Sequence, residues 1–165
     1  MYSTILVPID GSETSTRGLN EAIKIAKSQG SQLLLVHIVN EFILDYTYSA
    51  ALYSTDLIES LVKAGKAVLA DGESAAKRAG VNAKSVLLES IGGVAADLIL
   101  EQAKKFHADL IVMGTHGRRG IFRLALGSDA EQVVRAATVP VMLVRGQAAT
   151  ENAVLTAPHS KASVA

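Results

Sequence analysis

Cysteine is absent from the 165 residues. That excludes disulfides, thiolate catalysis and cysteine-zinc sites. A net charge is absent too, since 16 basic side chains balance 16 acidic ones. General binders of nucleic acid or of membrane surfaces need a basic excess, so neither class fits, although a local basic site stays open. No apolar run approaches the roughly 20 residues of a membrane helix. The opening MYSTILVPID carries no basic region ahead of a long apolar stretch, so it does not read as a signal peptide. No internal repeat is found. Together these absences predict a soluble, cytoplasmic protein with no nucleic-acid and no membrane partner.

What is present is an apolar fraction of 49%, enough to bury one core in a single domain. Five short apolar runs stand out: TILVPI (4–9), QLLLVHIV (32–39), KSVLLE (84–89), DLIVMG (109–114) and PVMLV (140–144). Most are continuously apolar, as strands are when both faces of a parallel sheet are covered. Helical patterns fill the intervals. Ser12 to Gln29 has a stripe of Leu19, Ala22, Ile23 and Ala26, with Gly30 as its stop. Thr55 to Ala79 has Leu57, Leu61, Ala64 and Val68 on one face, with Gly80 after it. Gly93 to His107 has Ala95, Leu98, Ile99, Gln102 and Phe106 in register, and Ser128 to Ala137 turns Val133 and Val134 inward. Strands alternating with helices predict an α/β fold with an open parallel sheet, helices on both faces and right-handed crossovers. The domain is expected to span 1–146. Residues 147–165, small and polar without periodicity, are expected to be a disordered tail. The tyrosine-rich 40–54 reads as a long connection that folds over the core, serving as a lid or partner surface.

The chemistry concentrates in GTHGRRGIFRLALGS, residues 114–128. Strand-to-helix connections in such folds take roughly 2–6 residues, yet Thr115 to Leu126 takes twelve. The loop ends at Ser128, followed three residues later by Glu131, the spacing of a capping box. A helix N-terminus offers unpaired N–H groups and a partial positive charge, which together attract phosphate. Glycines at 114, 117 and 127 let a backbone pass close to phosphate oxygens, and Arg118, Arg119 and Arg123 screen charge there. The alternative is structural: a turn glycine, a capping serine and a solvated basic loop. The spacing is neither a Walker A loop nor G-x-G-x-x-G.

The stretch reads G-x2-G-x9-G-S, with Gly114, Gly117, Gly127 and Ser128 at the fixed places. It resembles the ATP-binding signature of the universal stress protein family. ILVPIDGS near the start, ADLIVMGTHGR and VPVMLVR are similar to that family as well, over about residues 1–146. The resemblance implies a five-stranded sheet in the order 3-2-1-4-5, ATP or a related nucleotide (AMP or ADP), a homodimer, and a role in stress tolerance and regulation. In that order strands 1 and 4 are neighbours whose chains leave in opposite directions, the switch point where open α/β sheets bind ligands. By the resemblance Asp10, after Pro8 and Ile9, contacts the nucleoside, and Val39 meets the adenine edge with its backbone. Met113, Gly114, His116, Gly117, Arg118, Gly127 and Ser128 then surround ribose and phosphates. Asp10 capping the first helix and Val39 as a core valine are the structural alternatives. One departure is Asp129, where the family carries a small or apolar residue; it repels phosphate unless it points away or shares a Mg²⁺. His37 reads as a core histidine and His107 as a helix-end residue.

No enzyme signature accompanies the loop. The H-x-G-H motif of nucleotidyl transferases and the S-G-G-x-D-[ST] pyrophosphatase loop are missing. A nucleotide-binding regulatory protein is expected, with a nucleotide-free interaction module or a slow ATPase as alternatives. The last strand, an edge in the family's order, predicts an antiparallel homodimer through Pro140–Arg145. The protein partner and the stress it answers to are not legible.

Overall fold

Strands buried on both faces must be sandwiched by helices, and that is the arrangement found. The computed structural model describes residues 1–40, 55–90, 94–115 and 126–146. Its elements are β1 (Thr4–Pro8), α1 (Glu13–Gln29), β2 (Gln32–Asn40), α2 (Thr55–Arg78), β3 (Ala83–Ser90), α3 (Ala95–Lys105), β4 (Leu110–Gly114), α4 (Ser128–Ala136) and β5 (Val141–Val144). The strands form one parallel sheet ordered β3-β2-β1-β4-β5. The order is the one the resemblance implied. The 40–54 connection, apart from Asn40, and the 147–165 tail lie outside the described residues.

Alternating side chains of the central strands feed two cores. Ile5, Val7, Leu33, Leu35 and Val112 pack under α1 and α2 on one face. Leu6, Leu34, Val36, Ile111 and Met113 pack under α3 and α4 on the other. The first helix buries Leu19, Ala22, Ile23 and Ala26 as expected. It lies so close to β4 that a Cβ on Gly18 would sit 3.3 Å from the Gly114 nitrogen.

The helical faces differ from expectation in three places; in α3 the buried residues are Ala96, Ile99, Gln102 and Ala103, with Ala95 and Leu98 half-buried. In α2 the buried positions are Gly65, Leu69, Gly72 and Ala76, while Ala64 is exposed. Two glycines set the close approach: a Cβ on Gly65 would meet His37 Cδ2 at 2.6 Å, and one on Gly72 would meet Ile9 Cδ1 at 2.9 Å. In α4 Val133 is fully buried but Val134 is 46% exposed. Adjacent residues lie about 100° apart around a helix, so Ala130 and Val133, three apart, share the inner face instead. The helix stops were legible. Gly30 (φ 73°) and Gly80 (φ 76°) hold left-handed conformations at helix ends.

Candidate functional site

The chain leaves β1 for α1 on one face and leaves β4 for α4 on the other. β1 and β4 are paired neighbours, through Ile5 with Leu110 and Leu6 with Ile111. A crevice therefore opens beyond their carboxyl ends, bounded by the Ile9–Ser12 turn and the start of α4.

The first wall is a turn wired by its own polar groups. Pro8 ends β1 and has no N–H to donate; the pairing with β4 stops at Leu6 with Ile111, while that with β2 runs on to Pro8 with Val36. Ile9 N–H still donates to Val36 O at 2.8 Å. Asp10 Oδ1 accepts the Ser12 N–H at 2.9 Å, while the Asp10 N–H donates to Ser15 Oγ at 3.3 Å. Gly11 adopts φ 80°, which a side chain would strain. The cap of α1 is Ser12, whose Oγ accepts the Ser15 N–H at 3.2 Å. Asp10 thus braces the turn ahead of the cap and remains half-exposed at the crevice.

The second wall is the start of α4. Gly127 donates its N–H to Thr115 O at 2.9 Å, and Thr115 N–H donates to Val144 O at 2.9 Å. These bonds close the base of the long loop and seat α4 beside the end of β4. The expected capping box is not formed. Gly127 is the N-cap, Ser128 is the first helical residue, and Glu131 falls one place too late, pairing with Arg135 at 2.8 Å. The first helical bond runs from Glu131 N–H to Gly127 O at 2.9 Å. The amides of Ser128, Asp129 and Ala130 precede it and have no carbonyl within the helix. Asp129 is exposed in this first turn, where an acid suits the helix dipole. Gly127 has φ −63°, a conformation open to any residue.

Gly114 has a packing reason of its own to lack a side chain. A Cβ there would lie 2.8 Å from the Thr14 carbonyl carbon and 3.0 Å from the Ser15 nitrogen. Its bare backbone admits the first turn of α1. Met113 is buried in the α3–α4 core. His116, Gly117 and Arg118 lie outside the described residues, as do Arg119 and Arg123. Among the described residues no group of three or more His, Asp or Glu side chains is placed to hold a metal ion.

Val39 ends up beside the position that the backbone geometry favours. Along a strand the main-chain groups of successive residues face opposite neighbours. Leu33 N–H donates to Asn82 O, just ahead of β3, and Ile9 N–H donates to Val36 O. Odd-numbered residues of β2 therefore face β3 and even-numbered ones face β1. Val39 is buried and turns its main chain toward β3, whereas Ile38 turns its N–H and C=O toward the crevice beyond the end of β1. Hydrophobicity carries no trace of this, because both residues are apolar; only the bonded register separates them. His37 was read as a core residue and is 6% exposed, yet its Nδ1 lies 2.7 Å from Ile9 O.

With this geometry in place, likeness to known proteins is informative. The universal stress protein family profile matches residues 1–145. A universal stress protein of Methanocaldococcus jannaschii is 37% identical over 146 residues, 88% of this chain and 83% of its own length. A universal stress protein family structure from Burkholderia pseudomallei matches with a TM-score of 0.71 at 29% identity, over 88% of this chain and 97% of its own. The universal stress protein of Archaeoglobus fulgidus in complex with dAMP matches with a TM-score of 0.62 at 24% identity, over 87% of this chain and 98% of its own. The last likeness is one of fold.

Proposed function

The chain belongs to the universal stress protein family, and on that premise we propose that it is a regulatory protein that binds an adenine nucleotide, AMP, ADP or ATP, between β1 and β4. The observation that carries this reading is the convergence of two walls at one crevice: the Asp10 turn, and the amides that open α4 behind G-x2-G-x9-G-S. The nucleotide complex of the Archaeoglobus fulgidus fold relative supports the ligand class.

In this reading the amides of Ser128, Asp129 and Ala130 receive phosphate oxygens, a task suited to a helix start whose N-cap has no side chain. Asp10 contacts the nucleoside from the opposite wall, and the main chain of Ile38 meets the edge of the base. His116, Gly117 and Arg118 complete the phosphate side from the loop, as the family signature implies. Any Mg²⁺ arrives with the phosphates, beside Asp129. Nucleotide occupancy rather than turnover is the proposed output. The site is read as serving a cytoplasmic homodimer, joined through Pro140–Arg145, that engages a protein partner.

The test is calorimetry of the purified protein with AMP, ADP and ATP, with and without Mg²⁺, alongside ultraviolet absorbance of small molecules released on heating. Binding is expected, and Asp10→Ala is expected to weaken it about tenfold or more, the loss of one hydrogen bond to a charged group. Absence of bound or binding nucleotide overturns the reading in favour of a nucleotide-free interaction module. Steady phosphate release that Asp10→Ala abolishes converts it to a slow ATPase.

A further inference from the structure

We propose that His37 is a positioning residue for the nucleotide crevice, held in place by Gly65, and that its imidazole sets the conformation of the Ile9–Asp10 step. The inference rests on the nucleotide-binding reading for its consequence, but its geometry stands without it. His37 lies on β2 at the level where β1 stops, since the last register pair is Pro8 with Val36. Its Nδ1 lies 2.7 Å from Ile9 O. A carbonyl can only accept, so Nδ1 carries the proton and donates. Ile9 O belongs to the peptide bond that enters Asp10. It is also the carbonyl that the next rung of the β1–β2 ladder, from Ile38 N–H, would use. By bonding that carbonyl the imidazole ends the ladder, releases the chain into the Asp10 turn and leaves the Ile38 main chain facing the crevice.

The ring has little freedom. From the α2 side, a Cβ placed on Gly65 would lie 2.6 Å from His37 Cδ2 and 3.0 Å from Nε2. Real Cβ atoms do not approach so closely, so glycine at 65 is what lets the imidazole occupy this place. The ring is pinned between the helix and the Ile9 carbonyl, and it is buried. A purely apolar filler would occupy the same volume but could not donate. A histidine chosen only for bulk would not aim its Nδ1 at the one carbonyl where β1 gives way to the turn.

Three variants separate these roles: His37→Leu removes the donor and keeps volume, His37→Asn keeps a donor near the Nδ1 position with less volume, and Gly65→Ala keeps the imidazole but displaces it. Amide hydrogen exchange is read by NMR in the nucleotide-free protein, and affinity for AMP by calorimetry. In His37→Leu and Gly65→Ala, exchange at the Ile9 and Asp10 amides is expected to rise about tenfold, and AMP affinity to fall by a similar factor, one hydrogen bond's worth. The amides of Leu6 and Ile111, in mid-sheet, are expected to stay protected. His37→Asn is expected to restore both readouts toward those of the original chain. Exchange and affinity unchanged in His37→Leu, or an Asn variant as impaired as the Leu variant, overturns the proposal. If the unaltered protein binds no AMP, the nucleotide reading falls, and the exchange pattern alone decides the role of His37.

Discussion

At the scale of single residues, the polar side chains that matter most bridge distant parts of the chain. Asp109, at the threshold of β4, accepts the Ser3 N–H on Oδ2 at 2.8 Å and the Thr4 N–H on Oδ1 at 3.1 Å, and its own N–H donates to Thr4 O at 3.0 Å. One carboxylate thus pins the first strand to the fourth across 105 residues of sequence. Each bond to a charged group is worth about 1.5–3 kcal/mol, less where water competes, as it does beside exposed Ser3. Asp109→Ala is therefore expected to lower unfolding stability by about 2 kcal/mol in a urea titration, and Asp109→Asn by about half of that. An alanine variant as stable as the original chain would show that these bonds merely replace water. The sequence shows Asp109 only as part of a family-like string, because its partners become neighbours only when β4 pairs with β1. Glycine roles are hidden for the same reason. Gly114 was legible as a signature position, but the cause of its bareness, the first turn of α1 lying against it, is a tertiary contact.

At the scale of elements, strands and helices were legible because continuous apolar runs and a 3.6-residue period are local signals. What was not legible was any face set by small residues. The α2 face belongs to Gly65, Gly72 and Ala76 as much as to Leu69, and a search for bulky side chains rotates it wrongly. The start of α4 at Ser128 was legible, but its cap was not: Gly127 caps without a side chain, and the Ser128–Glu131 spacing imitates a capping box. The ends of α2 and α3 share a device, while α4 ends on Ala137 in extended backbone. Gly80 N–H donates to Lys77 O and Val81 N–H to Ala76 O, a paired closure around a left-handed glycine. The end of α3 repeats it, with His107 N–H to Lys104 O and Ala108 N–H to Ala103 O, but the left-handed residue is His107 at φ 51°. A side chain in that conformation costs roughly 1 kcal/mol. The greater freedom of glycine in the unfolded chain returns part of this. His107→Gly is expected to stabilise the protein by about 0.5 kcal/mol in chemical unfolding. A clear loss of stability instead would mean that the exposed imidazole makes contacts worth more than its backbone strain.

At the scale of the whole molecule, the sheet ends on one side in β5, and an edge strand with no further strand beside it among the described residues invites a second chain. The bonds Ile111 N–H to Pro140 O and Thr115 N–H to Val144 O show which main-chain groups β5 spends on β4. By alternation those of Met142 also face β4, and those of Val141 and Leu143 point outward to a partner strand. The side chains follow a different division. Val141 and Leu143 pack into the α3–α4 core and Val144 into the opposite one, while Met142 stands 40% exposed on the edge. Substituting Val141 or Leu143 by lysine would therefore confuse dissociation with loss of core packing. Met142→Lys is the cleaner probe, because it touches neither core and sets like charges facing each other across an antiparallel, two-fold pairing. Light scattering across a dilution series is expected to give twice the chain mass for the original protein. For Met142→Lys the dissociation constant is expected to rise about tenfold or more, the effect of one destabilising like-charge contact in a partly desolvated interface. Circular dichroism should be unchanged. If the variant keeps the dimer mass at every concentration, the copies do not meet along β5; if the original chain is monomeric throughout, the edge is reserved for another protein or left bare.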